Sequence, residues 1–316
     1  MKHTLKITLM LAGIFLISQI FGLFTYTLSI TPFFEEGKIS VDHGDTFLGE
    51  TPEADEEAKQ LSFIPIMIVI LLGTGILLLF IKLKLARLWK YWFLIAVMLT
   101  MALSFEVYFK RISGLDTFVG NFFGLNVFVG TIPALALGAL LAILKIFRPR
   151  MVLHNFTEVF IYTGIVIVIA PLLNLFSAFA LLIVISIYDM FAVWYSKHMI
   201  KLANFQTETR VFAGLLIPYG SSGGRKIAKK EKTKKAVLGG GDIAFPLLFC
   251  PAVIEFLVLH GFDKFTAFWL SMIAVATTTT ALFLLLAMGK KNKFYPAMPF
   301  ISLGCFFGFG LILALI

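Results

Sequence analysis

Residues 61–81 read LSFIPIMIVILLGTGILLLFI, twenty-one positions without one charged side chain. A hydrocarbon core about 30 Å thick is crossed by about 20 apolar residues in a helix. A helix on the surface of a soluble domain keeps a polar face instead. The stretch therefore reads as a membrane span. Working outward, eight more stretches share its character, at about 7–30, 91–109, 118–144, 156–174, 176–195, 236–260, 265–288 and 296–316. The chain is read as all-α, a polytopic membrane helix bundle of nine transmembrane helices. Segment 118–144 is long and carries Gly120, Gly124, Gly130 and Pro133, so a kinked or tilted helix is expected there. The first span follows Lys2 and Lys6, as a signal peptide would. Its apolar run is long and no small-x-small cleavage site stands out, so it is read as a retained span.

Composition agrees. Of 316 residues 59% are hydrophobic and 14% are charged, against about 25% charged in a soluble domain. The mean hydropathy is +0.94, more apolar surface than a soluble fold of this length can hide. A net charge of +9 on a soluble chain would suggest nucleic acid. Here the charges lie in short runs between apolar segments, so the expected partner is the lipid bilayer and not nucleic acid. If nine spans alternate sides, 22 of the 27 Lys and Arg residues fall on one side. That asymmetry predicts a cytoplasmic N-terminus and an external C-terminus.

Three parts follow: a six-helix part, 1–195; a cytoplasmic basic loop, 196–235; and a three-helix part, 236–316. The external loop 31–60 holds nine of the 18 acids. It is expected to be a solvated, partly disordered acidic loop, and no DxDxDG pattern supports calcium binding. Residues 220–235, GSSGGRKIAKKEKTKK, read as a flexible basic segment lying on anionic headgroups. Residues 211–218 are apolar but too short to span, so a strand or an interfacial segment is expected.

Cys250 and Cys305 sit in apolar stretches without a CxxC pair, and the five histidines show no HExxH spacing. No metal or other cofactor is expected. Acids inside spans are costly, by about 2.5–3.5 kcal/mol on insertion scales, and are functional candidates by default. There are five. Glu106 lies one helical turn before Lys110 and is expected to pair with it. Glu158, near a span start, is expected at the interface. Glu255, five residues before His260, is expected to make a structural hydrogen bond.

Asp189 and Asp242 differ. They lie on consecutive antiparallel spans, eight residues before Lys197 and seven after Lys235. At about 1.5 Å per residue both would sit about 10–12 Å from one membrane surface. Two carboxyl groups side by side can share one proton and titrate as a pair. One ionised and one protonated carboxyl around a water is the chemistry of aspartic proteolysis. The local sequences are ISIYDMFAVW (185–194) and VLGGGDIAFP (237–246). Gly239, Gly240 and Gly241 remove side-chain bulk before the second acid and permit close backbone approach. Tyr295, Pro296, Ala297, Met298 and Pro299 open the last span at the same face, and two prolines there imply an irregular backbone.

Tyr188-Asp189, then Gly239-Gly240-Gly241-Asp242, then Pro296-Ala297-Met298-Pro299 resemble the YD, GxGD and PAL motifs of the presenilin and signal peptide peptidase family of intramembrane aspartyl proteases. GxGD alone is weak and is shared with prepilin peptidases; all three in order with this topology are highly specific. The stretch from Tyr188 through Ala203 looks especially like archaeal members, which implies a prokaryotic cell membrane. The motifs cover the C-terminal half. Met298 stands where the family usually has leucine, a volume-conserving change.

The resemblance implies that Asp189 and Asp242 are the catalytic aspartates of an intramembrane-cleaving endopeptidase. It implies that Tyr188, Gly239, Gly240, Gly241, Pro296, Ala297 and Met298 shape the site and position substrate. It implies transmembrane segments or remnant signal peptides as substrates. Presenilin acts with partner subunits and microbial relatives work alone; no obligate partner is expected, and homo-oligomerisation stays open. A substrate helix must unwind before attack, and pairing with an enzyme strand at 211–218 or 235–238 would satisfy its freed backbone groups. A proton- or ion-coupled transporter is the alternative, since it too carries midplane acids, broken spans and glycines. A prepilin-type peptidase would carry a basic residue soon after the aspartate, where this chain has Ile243, Ala244 and Phe245.

Overall fold

The computed structural model describes residues 5–35, 37–49, 56–122, 124–148, 150–196, 212–219, 234–289 and 295–316. The run Lys197 to Ala203, Val211, Glu36, most of the basic segment 220–235, the acids at 50, 53 and 55, and the lysines at 290, 291 and 293 lie outside the described residues. The helices are α1 (Leu5–Ser29), α2 (Glu56–Leu61), α3 (Phe63–Lys82), α4 (Ala86–Arg111), α5 (Thr131–Phe147), α6 (Met151–Ile169), α7 (Leu175–Phe191), α8 (Gly241–Leu259), α9 (Lys264–Met288) and α10 (Met298–Leu315). Three two-stranded antiparallel hairpins join them: β1 (Thr31–Glu35) with β2 (Lys38–Asp42), β3 (Phe118–Phe122) with β4 (Leu125–Phe128), and β5 (Gly214–Tyr219) with β6 (Lys234–Gly239). Among the described residues, eight helical stretches are long and apolar enough to cross a membrane, and α5 is a shorter apolar helix.

Helix α8 is the axis of the bundle. It is apolar on every side, and a helix of that kind is buried on every side; from Ile243 to Val258 only Phe245 and Phe256 escape full burial. It packs against α1, α6, α7, α9 and α10. Gln19 of α1 donates Nε2–H to the Ile243 carbonyl at 2.9 Å, beside the turn where Pro246 breaks the helical ladder. With no hydrophobic drive between helices in lipid, small residues set the close contacts. A Cβ on Gly164 of α6 would lie 1.8 Å from the Thr100 carbonyl oxygen of α4. A Cβ on Gly308 of α10 would lie 2.5 Å from the Ala274 Cα of α9.

Three expectations are corrected. The long span 118–144 is a hairpin followed by a helix. Asn121 Oδ1 accepts the Gly124 N–H at 3.1 Å and Gly124 takes φ +82°, which close a turn instead of continuing a helix. The span 236–260 starts as a strand, and its helix begins only at Gly241. The span expected at 176–195 is present as one helical run from Leu175 to Tyr195, whose last turn, from Ala192, is π-helical. The acidic loop 31–60 is ordered through its first half as β1 and β2. Beyond them Phe47 is buried, with its N–H on Glu106 Oε2 at 3.0 Å.

Candidate active site

Asp189 sits in the last turn of α7, whose start is fixed by a capping box between Asn174 and Ser177. Its side chain is buried at 7% exposure. Its Oδ2 accepts the Met298 backbone N–H at 3.1 Å, and the Ala297 N–H also donates to this carboxyl. The first amides of a helix have no intrahelical acceptor, and Pro296 has no N–H at all. Residues 297 and 298 therefore supply the free donors at the mouth of α10, and the acid on α7 takes them. One turn back, Ser186 and Ser302 bond at 2.9 Å and hold α7 against α10.

Asp242 is the second residue of α8, where β6 gives way to helix. It accepts the Gly239 N–H and lies close enough to Asp189 for the two carboxyl groups to interact electrostatically. Lys235 to Gly239 is strand and not helix, so the depth of Asp242 does not follow from counting those residues at helical rise. The three glycines lie in different surroundings. A Cβ at Gly240 would stand 3.1 Å from the Tyr162 hydroxyl and 3.3 Å from the Ala213 carbonyl. At Gly239 it would stand 3.2 Å from Asp242 Oδ2, and at Gly241 3.1 Å from the Phe245 ring. Of the motif opening the last span, Pro296 and Met298 are buried and Ala297 is half-buried; Tyr188 is half-buried beside Asp189. All nine residues singled out from the sequence thus fall on α7, the β6–α8 junction or the mouth of α10, and Asp189 is the side chain that bonds to the mouth of α10.

Of the other acids, Glu106 pairs with Lys110 at 3.3 Å and also accepts from Thr131 at 2.6 Å. Glu255 pairs with Lys59 at 2.9 Å and His43 at 3.5 Å, while His260 bonds the Phe256 carbonyl. Glu158, expected at the interface, is drawn into a buried polar network. It is fully buried, pairs with Lys145 of α5 at 2.5 Å, and accepts the Tyr162 hydroxyl and the Gly214 N–H. Sequence reasoning missed this network. The available signal was a polar stripe at helical spacing, His154, Glu158 and Tyr162. Its partner Lys145 lies on another helix, which no local pattern reveals. Among the described residues no three His, Cys, Asp or Glu side chains gather as a metal site would need.

A sequence model described as signal-peptide peptidase, presenilin aspartyl protease matches residues 47–316. No curated protein matches the chain. Two solved structures titled as a presenilin family intramembrane aspartate protease, in C222 and P2 space groups, share its fold. The first has a TM-score of 0.64 at 15% identity, over 98% of this chain and 99% of that one. The second has a TM-score of 0.59 at 15% identity, over 97% of each.

Proposed function

This chain belongs to the signal-peptide peptidase and presenilin aspartyl protease family, and from that premise we propose that Asp189 and Asp242 are its catalytic pair. The protein is a multi-pass membrane protein and an intramembrane aspartic endopeptidase. The observation that carries the assignment is the approach of the two acids from separate helices, one held by the mouth of α10 and the other by the β6–α8 junction. A water between them loses a proton to the ionised carboxylate as its oxygen attacks the scissile carbonyl, and the protonated carboxyl polarises that carbonyl. The tetrahedral intermediate collapses as the amide nitrogen takes a proton, leaving a new carboxyl terminus and a new amine. The Ala297 and Met298 amides fix the orientation of Asp189, and Tyr188 and Gly239 to Gly241 border the space beside the pair.

The substrates in this reading are single transmembrane segments or remnant signal peptides, cut without an obligate partner. The 17 residues of α5 give about 26 Å of helix. That is close to the hydrocarbon thickness, and with modest mismatch α5 is a ninth span. The N-terminus is then cytoplasmic and the C-terminus external, as the basic residues sort. The organisation is a six-span part to 195, a basic connection to 235 that carries β5 and the start of β6, and a three-helix part beyond.

Both candidate edge segments belong to one hairpin, β5 with β6, that runs directly into Asp242. A substrate strand added to it would lay its scissile bond beside the pair. The test is incubation of the pure protein with a labelled single-span peptide, with and without a transition-state-mimicking aspartyl protease inhibitor. Cleavage that the inhibitor abolishes is expected. An intact peptide would refute the assignment of the pair.

A further inference from the structure

One face of α6 forms hydrogen bonds with the outer edge of β5. Asn155 donates Nδ2–H to the Leu216 carbonyl at 2.9 Å and accepts the Leu216 N–H on Oδ1 at 3.0 Å. Two residues away, Gly214 donates its N–H to Glu158 at 3.2 Å, and its carbonyl accepts from His154 Nε2 at 2.8 Å. A neighbouring strand would bond to alternate residues in this way. The helix side chains thus occupy the positions of a third strand and close this edge to any incoming chain.

The same bonds orient the opposite edge. Leu216 turns both backbone groups toward α6, so its pairing with Val237 is the non-hydrogen-bonded kind. Val237 then points its N–H and carbonyl away from β5. It is 48% exposed, and two residues on, Gly239 gives its N–H to Asp242.

We infer that Asn155 and Glu158 are positioning residues. They lock the β5 edge so that a substrate pairs only with β6, and in one register relative to the aspartates. This rests on the reading of Asp189 and Asp242 as the catalytic pair. Lys145 anchors Glu158 at 2.5 Å, so the lock is tied to α5 as well as α6. A lock of this kind acts on substrate docking and not on the chemical step, which gives it a kinetic signature. Its loss raises KM with kcat held, the mark of lost uniform binding.

The test compares wild type, Asn155→Leu and Asn155→Asp on one labelled single-span peptide, with KM, kcat and a mass-spectrometric map of the cut sites. Leucine removes both bonds to Leu216; aspartate keeps the acceptor and loses the donor. For Asn155→Leu the expected rise in KM is about tenfold, the worth of one to two net hydrogen bonds, with kcat within about twofold. New cut sites are expected two residues from the original, because a slip of two keeps side chains on their faces. Asn155→Asp falls between. A wild-type KM and cut-site map in Asn155→Leu overturns the proposal. So does a fall in kcat and melting temperature with an unchanged map, which marks a purely structural role. If Asn155→Leu does not fold, the same readouts on Asn155→Asp decide. Cleavage by Asp189→Asn would sink the catalytic pair alone, and the Asn155 map would still report on the lock.

Discussion

Replacing Lys145 by methionine puts the buried ion pair under direct test. The pair is short, 2.5 Å, and its side chains are 2% and 1% exposed. Methionine keeps most of the aliphatic stem and removes the charge, leaving Glu158 as a buried anion. Breaking such a pair costs about 3–5 kcal/mol. Glu158 retains the Tyr162 hydroxyl and the Gly214 N–H, which places the loss at the lower end, about 3 kcal/mol. Each kcal/mol moves the midpoint by about 2–4 °C at 150–250 residues, and by the lower figure in a longer chain. Thermal unfolding of Lys145→Met in detergent is therefore expected about 6 °C below wild type. Adding Glu158→Gln removes the orphaned anion, and the double variant is expected to regain at least half of that loss, because a neutral replacement of a buried pair is often tolerated. Lys145→Met melting within about 1 °C of wild type, or a double variant less stable than either single, would refute the reasoning.

Gly164→Ala places a methyl 1.8 Å from the Thr100 carbonyl oxygen, so α4 and α6 must part; a loss of about 2–3 kcal/mol is expected in thermal or denaturant unfolding, and an unchanged midpoint would contradict the contact. His43 is held near pKa 4, below its usual 6.5, first by burial and then by Lys59. The unfolded chain therefore binds the extra proton first, and stability is full above pH 6.5 and falls as the pH drops toward 4, by up to about 3 kcal/mol. Melting curves at pH 7.5 and 4.5 should show a smaller acid loss in His43→Gln than in wild type. Val237→Pro removes one outward N–H without breaking a β5–β6 bond, and at least a tenfold fall in kcat/KM is expected, about 1.4 kcal/mol; unchanged cleavage would remove β6 as the docking edge.

Membrane class and helix order were legible because insertion into lipid leaves a coarse, local record: 61–81 has no charge, and a charge-free run of that length has few other uses. Hairpins were legible only in part: 211–218 reads as a strand or an interfacial segment and is largely β5, but elsewhere apolar strands and apolar helices have the same composition. Residues 118–128 and 236–239 read as the starts of spans; in the first, the φ of Gly124 and the Asn121 side chain close the hairpin instead. Asp189 and Asp242 stood out because neither has a basic neighbour within a helical turn. The network of Glu158 was hidden because its cation lies thirteen residues away on α5. The donors to Asp189 were hidden as well: two prolines announce a break in the backbone, but not which acid takes the amides it frees.

Two carboxyl groups acting as one catalytic unit leave a signature in single-turnover cleavage of a single-span peptide by Asp189→Asn, Asp242→Asn and the double variant. Members of a unit are strongly non-additive, so each single variant is expected to fall to background while the double loses nothing more. Cleavage above background by either single variant, with the double lower still, would contradict it.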